Sequence, residues 1–465
     1  IYNAGTILQV KDLTQGSVYR QIISQAVPMT IGMLVQTLYI LVDLYFVAGL
    51  GTDALAAVVS SANLMFLVIA LTQVLSVGLV ALMAPAVGAK NPAEANRLFH
   101  QGVWLGLAGT AGLFLLGPFL VEPYLHSVSS SEAVILLSQQ YLNWFLPGLA
   151  LQFVSVALVA ALRATGNVQS TMKIQLLTVV LNIVLAPVLI NGWLTGYAMG
   201  VAGAGLASTL SVIAGLVLLL FYVIKQELYL HLRQMQKPDF KVWRRVLAFG
   251  CPAGAEFLMM FAFSALVYFL IKDFGSAAPA GFGAGMRLVQ AISLPGVAIA
   301  FSLPAVFGQN LGAGRLDRIT ASFSAALKMQ LVVMGLLFLV CQLNPAWLIG
   351  FFSADADVRS AGSDFIQIIS WNFFASGVVL TCSGLFQGLG NTLPGLASSV
   401  TRLLLFALPA VWLSQTTAFS LHNLWLISVL SVVVQAVFSF VLARRQLIKT
   451  GRVAGSPELK ESLPS

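Results

Sequence analysis

Charge is scarce in this chain. Only 9% of its 465 residues are Asp, Glu, Lys or Arg, against about 25% in an ordinary soluble domain. That excludes a soluble enzyme or a soluble binding module. Cysteine is scarce too. Cys251, Cys341 and Cys382 all fall in apolar runs, without metal-ligand spacing or a paired framework. They read as small core residues. His100, His126, His231 and His422 lie in or near loops, again without ligand spacing. No phosphate-cradling loop is present, which excludes ATP-driven work by this chain alone. Gly281, Gly283 and Gly285 carry only part of a dinucleotide fingerprint, and no strand precedes them. No nucleophile–base–acid set and no interfacial cluster of acids or histidines is visible, so the chain is not expected to be an enzyme or to need a cofactor. No cleavable signal pattern opens it, and a natural N-terminus is expected to precede Ile1.

What is abundant is apolar length. The chain is 58% hydrophobic, with a mean hydropathy of +0.91. Runs long enough to cross a bilayer recur throughout. The expected spans are 22–50, 54–87, 98–125, 134–162, 170–191, 200–225, 243–272, 278–308, 319–352, 359–386, 392–415 and 423–446. This predicts an all-α polytopic membrane protein of twelve helices. The net charge of +8 does not point to nucleic acid. Alternate loops hold nearly all the cations: Lys11 and Arg20, Lys90 and Arg97, Arg163 and Lys173, Lys225 to Arg245, Arg315 to Lys328, and Arg444 to Lys460. The opposite loops hold Lys272 and Arg359 against seven acids. That asymmetry places both termini in the cytoplasm, as an even span count also requires.

The two halves repeat at an offset near 224 residues. Pro28 and Pro252 open the first and seventh spans, and Gly51 and Gly275 end them. Gly166-Asn167 follows span four as Gly390-Asn391 follows span ten, and the segments 85–91 and 304–310 close spans two and eight. Four landmarks in one order are strong evidence of duplication. Six helices return the chain to the same side, so the repeats are parallel. The expected division is an N-lobe at 1–225, a cytoplasmic linker at 226–245, a C-lobe at 246–450 and a tail at 451–465. Two six-helix lobes related by pseudo-twofold symmetry are a common transporter plan.

Polar residues inside the spans point to the chemistry. A carboxylate at the centre of a span costs roughly 2.5–3.5 kcal/mol on insertion scales, yet Asp43 lies within the run 31–50. Tyr39 and Gln36 lie four and seven residues before it, on the same helix face. Counting from the outer ends, Asn182 in span five reaches a similar depth, and Gln175, Thr178 and Asn182 form a polar stripe. Ser208 and Ser211 give span six a shorter one. Glu256 is the other deep acid. Arg287 and Arg402 are the deep cations, and a structural pair, such as Glu256 with Arg287, is the expectation for them. Pro28 marks a point where a helix bond is missing.

The order Pro28…Tyr39…Asp43, the two Gly-Asn turns and Gln309-Asn310-Leu311-Gly312-Ala313-Gly314-Arg315 resemble the multidrug and toxic compound extrusion (MATE) family along essentially the whole chain, most closely its DinF-like branch. The resemblance implies a cation-coupled exporter with a central cavity. It implies an N-lobe cation network of Tyr39, Asp43, Asn182 and Ser208, and a mobile bend at Pro28. Glu256 matches a C-lobe cation site of the sodium-linked branch, but the aspartate that branch supplies from span ten is absent; Ser370, Asn372 and Ser376 stand in that region. A second N-lobe acid is replaced by Ala186, which favours a proton over a tightly held metal ion. The expectation is a monomeric antiporter of the inner membrane, exporting cationic or amphiphilic small molecules in exchange for protons. Gln36, Thr178 and Arg287 are expected in the substrate cavity. The alternatives are a sodium-coupled exporter using Glu256 and a lipid-linked oligosaccharide flippase, whose pyrophosphate cargo would want more cations than Arg287 and Arg402.

Overall fold

The computed structural model describes residues 11–128, 131–194, 196–225, 230–232, 235–416 and 419–454. Parts of the linker, 226–229 and 233–234, and the tail from 455 onward lie outside the described residues. Fifteen helices run in order: α1 (Val18–Ala48), α2 (Thr52–Gly88), α3 (Pro92–Val128), α4 (Glu132–Ala164), α5 (Val168–Ile190), α6 (Val201–Lys225), α7 (Phe240–Ile271), α8 (Ala277–Ile292), α9 (Leu294–Gly312), α10 (Leu316–Leu343), α11 (Pro345–Gly350), α12 (Ala356–Ile369), α13 (Asn372–Gly388), α14 (Leu393–Ser414) and α15 (Leu421–Ala454). Among the described residues, eleven are long and apolar enough to cross a membrane. The pair α12–α13, bent by 56°, makes a twelfth candidate span. The protein is therefore all-α and multi-pass.

Three expected spans are broken; the ninth, 319–352, stops at Leu343 and resumes as the short α11 from Pro345. The eighth divides at Ser293 into α8 and α9, with Pro295 in the first turn of α9. Proline has no N–H to give the preceding turn and fits the start of a helix better than its middle. The tenth bends at Ser370 and Trp371, between α12 and α13.

The chain forms two compact units. One comprises Ile31–Gly254 with the segment ending at Asp12; the other comprises Leu13–Thr30 and Ala255–Ser465. In the first, α4 packs on α2, α3 and α6; in the second, its repeat counterpart α13 packs on α9, α10 and α15. Both unit boundaries fall inside a helix, after Thr30 in α1 and after Gly254 in α7. These positions differ by 224 residues, the repeat offset, and each lies two residues beyond a proline, Pro28 or Pro252.

Polar clamps hold the segments that lead into α1 and α7. Gln309 Oε1 accepts from Leu13 N (3.0 Å) and Asn310 Nδ2 donates to Leu13 O (3.1 Å). Arg318 reaches Gly16 O and Gln21 Oε1. The Gln309-Asn310 motif thus secures the entry to α1. Ahead of α7, α3 does the same work. Asn96 Oδ1 accepts from His231 N (2.9 Å), Gln101 accepts from Asp239 N (2.7 Å) and donates to Lys237 O (2.8 Å), and Trp104 donates to Gln236 O (2.9 Å). Buried His100 accepts from Gln236 N on Nδ1 (3.3 Å) and faces His231 O with Nε2 (2.7 Å), which assigns it the neutral form protonated on Nε2. Arg97 pairs with Asp239 at 2.8 Å, and this guanidinium holds the Asp239 carboxyl below the ordinary carboxylate range.

Candidate functional site

The polar cluster of the first unit is assembled by α1, α5 and α6. Tyr39 and Asp43 share a face of α1, Asn182 comes from α5 and Ser208 from α6. Ser208 Oγ donates to Asp43 Oδ2 at 3.4 Å, and Tyr39 Oη lies 2.9 Å from Ser208 Oγ. A hydroxyl has one proton. If Ser208 gives its proton to Asp43, Tyr39 must donate to Ser208. Asn182 is 1% exposed. Its amide is satisfied with Nδ2 donating to Asp43 Oδ1 (3.2 Å) and Oδ1 accepting from Ser208 N (3.2 Å). The half-buried carboxylate therefore has donors on both oxygens.

No fixed cation neutralises Asp43. The ion pairs among the described residues join Arg97 to Glu94 and Asp239, and Arg315 to Asp317. A carboxylate held only by neutral donors inside a span leaves its charge to be balanced by something exchangeable. The oxygens of Tyr39, Asp43, Asn182 and Ser208 suit a proton or a small hard cation. Among the described residues no three His, Cys, Asp or Glu gather in a way that would hold a metal ion.

Local packing sets Ser208 in place. The hydroxyl of the next residue, Thr209, enters the α4 backbone ladder: it accepts from Gly148 N (3.1 Å) and donates to Trp144 O. Pro147 already lacks its N–H there. A Cβ at Gly148 would lie 2.7 Å from Thr209 Oγ1, and one at Gly205 would strike Tyr141 O. Small residues thus bring α4 and α6 close enough for the insertion. Tyr141 of α4, stacked on Phe145 (5.0 Å), lies within electrostatic reach of Tyr39 and Asp43. Neither Tyr141 nor Thr209 stood out in the sequence. One is an aromatic in an apolar span, and the other's signal, a small residue four after Gly205, depends on knowing that α6 faces Pro147-Gly148.

The remaining candidates separate. Gln36 accepts from Gln175 Nε2 (3.3 Å), toward the N-terminal end of α1 from the cluster. Thr178 bonds its own helix at Gln175 O (2.8 Å), and its methyl group lies where a side chain on Gly215 would go. Pro28 is buried in α1. In the second unit, Ser383 of α13 donates to Glu256 Oε2 (3.4 Å), Gln387 donates to Ser383 (3.3 Å), and Glu256 lies against Gly395 of α14. Ser370, expected near Glu256, instead receives Gln342 Nε2 at 2.9 Å, because it sits at the α12–α13 bend. The Glu256–Arg287 pair is not formed. Arg287 is exposed, and no ion pair involves it among the described residues. Arg402 stacks over Phe263 at 4.7 Å, with its Nε buried and unbonded.

The MatE family model matches residues 28–188 and again 252–413. The chain belongs to the MatE family. The two matches start at Pro28 and Pro252 and so also express the internal repeat. MatE proteins are multidrug efflux transporters, not enzymes, and act on small molecules. Among similar proteins, the FAD transporter of Shewanella oneidensis is 24% identical over 403 residues, 85% of this chain and 88% of that one. The probable multidrug resistance protein YpnP of Bacillus subtilis (strain 168) is 24% identical over 423 residues, 90% of this chain and 92% of that one. A crystal structure of MATE in the bent conformation shares the fold, with a TM-score of 0.89 at 23% identity, covering 97% of this chain and all of that one.

Proposed function

We propose that this MatE transporter is a proton-coupled antiporter of the DinF-like branch. It exports cationic or amphiphilic small molecules as a monomer in the inner membrane, with both termini cytoplasmic. The observation that carries the reading is Asp43: a half-buried carboxylate with neutral donors on both oxygens and no fixed cation.

The mechanism follows from counting protons. With Asp43 ionised, the chain runs from Tyr39 to Ser208 to Asp43, each donating to the next. A proton arriving on Oδ2 turns that oxygen into a donor. Ser208 must then reverse and donate to Tyr39, whose hydroxyl proton has to turn away. One proton thus inverts a three-residue hydrogen-bond chain joining α1 to α6. An antiporter needs proton and cargo to favour different conformations, and this inversion alters what α1 can bond. Pro28 supplies the place where α1 yields, since its helix bond is already missing. Gln36, Thr178 and Arg287 are the residues assigned to substrate contact.

Transport into inverted vesicles, with pH and sodium gradients imposed separately, tests the reading. Uptake driven by the pH gradient alone is expected. Uptake driven by sodium alone, and abolished by Glu256→Gln, would replace it with coupling at Glu256, which also has no ion-pair partner among the described residues. Arg287 and Arg402, which form no ion pair among the described residues, favour a second reading in which the cargo carries an anionic group, as the name of the Shewanella relative suggests. Including a flavin dinucleotide beside cationic dyes in the same assay decides between the two.

A further inference from the structure

Away from the coupling cluster, a cavity of about 310 Å³ opens between α3 and α4. Phe114, Pro118 and Glu122 line it from α3, and Gln139, Asn143 and Pro147 from α4. Each set follows i, i+4, i+8, so each lies along one face and spans about 12 Å. The helices are antiparallel neighbours, α3 ending at Val128 and α4 beginning at Glu132. Glu122 and Gln139 lie six and seven residues from the adjoining helix termini, while Phe114 and Pro147 lie farthest from them. The cavity is therefore a surface groove with a polar mouth toward those termini and an apolar far end, with Leu142 and Leu146 buried along its floor.

Its polar side chains are one carboxylate, Glu122, and the amides of Gln139 and Asn143, which both donate and accept. Glu122 has no cation partner among the described residues. Pro118 and Pro147 offer no N–H, so the carbonyls of Phe114 and Asn143, both lining residues, lack their helical donors. The α4 ladder is opened further by Thr209 at Trp144 and Gly148. One negative charge and two carbonyls without a helical donor beside an apolar groove match a ligand with a positive head and an apolar body. The 37 residues of α3 reach about 55 Å, longer than a bilayer is thick, so the mouth stands near the headgroup layer.

We propose that the α3–α4 cavity binds an amphiphilic organic ammonium, its head at Glu122 and the freed carbonyls and its body toward Phe114 and Leu146. The site is separate from the Asp43 cluster, and its existence does not depend on proton coupling.

The test uses full-length protein in maltoside micelles with trimethylammonium-diphenylhexatriene as probe and uncharged diphenylhexatriene as its control, read by fluorescence anisotropy. Saturable binding of the charged probe is expected. Binding is expected to resolve into a transport-site component and a cavity component; Glu122→Gln is expected to weaken the cavity component at least about tenfold, Asn143→Trp, which fills the cavity, to remove it, and Asp43→Asn to leave it intact. The uncharged control should not respond to Glu122→Gln. Competition by phosphatidylethanolamine but not phosphatidylglycerol would support the proposal with a lipid headgroup as the natural occupant; no competition by either would support it with a free cation. Unchanged binding in both cavity variants, or loss only in Asp43→Asn, would overturn it. Elution of each variant at the wild-type volume in gel filtration separates loss of the site from loss of the fold.

Discussion

At the scale of single residues, the account rests on which groups can donate. Interhelical hydrogen bonds in membranes average about 0.6 kcal/mol, so the Tyr39–Ser208–Asp43 chain contributes little to holding the helices together. Removing a member should therefore spare stability and strike transport. Tyr39→Phe and Ser208→Ala are each expected to lower proton-driven export several-fold, with melting temperature nearly unchanged. The double variant should be no worse than either single one, because both break the same chain. Additive losses in this cycle would mean that the two hydroxyls act separately. Asp43 and Tyr39 were legible in the sequence because a four-residue spacing puts them on one face. Asn182 followed from counting residues to the helix end, and Ser208 from the family resemblance. Tyr141 and Thr209 were not legible, because their roles depend on which face of α6 meets the interruption at Pro147-Gly148. The residues expected near Glu256, Ser370 to Ser376, lie roughly two to four turns before its partner Ser383, because a linear reading of the tenth span cannot foresee its 56° bend.

At the scale of elements, close backbone approach governs. A Cβ on Gly78 would collide with Val246 O, and one on Gly250 with Val74 O, so α2 and the first half of α7 meet through two reciprocal glycines. Gly78→Ala or Gly250→Ala is expected to lower thermal stability well beyond Gly112→Ala, where a Cβ meets nothing; equal melting temperatures would refute the contact. The docked segment ahead of α7 has a pH limit of its own. Arg97 depresses the folded-state pKa of Asp239, so this pair contributes stability above the ordinary carboxylate pKa of about 3.9 and loses it only as pH falls through the depressed value. Hydrogen exchange of residues 235–239 should stay slow down to that range and rise below it, whereas Asp239→Asn should speed exchange already at neutral pH. Long helices were legible from apolar length and their breaks were not. Pro85, Pro118 and Pro147 sit within continuous helices, while Pro295 begins a new one. An internal proline alone does not say which.

At the scale of the whole molecule, the duplication organises everything else. Offsets of 224 residues relate Pro28 to Pro252, the two Gly-Asn turns, the starts of the two family-model matches and the two unit boundaries. Polarity departs from the repeat: Tyr39 and Asp43 correspond to Phe263 and Val267, and Asn182 to Phe406. The duplicated frame therefore carries one hydrogen-bonded acid cluster and one apolar core at matching positions, which is why proton coupling is assigned to the first. If both boundaries are hinges, Pro28→Ala and Pro252→Ala should each slow export, and neither should abolish proton binding. Cysteines placed at positions 236 and 355 should label only from the cytoplasmic and external sides, respectively; the reverse pattern would invert the topology. The most direct measurement is proton release from purified protein when an exported cation is added, compared between the wild type, Asp43→Asn and Glu256→Gln. The account predicts release from the wild type and from Glu256→Gln, and none from Asp43→Asn. Undiminished release from Asp43→Asn would contradict it.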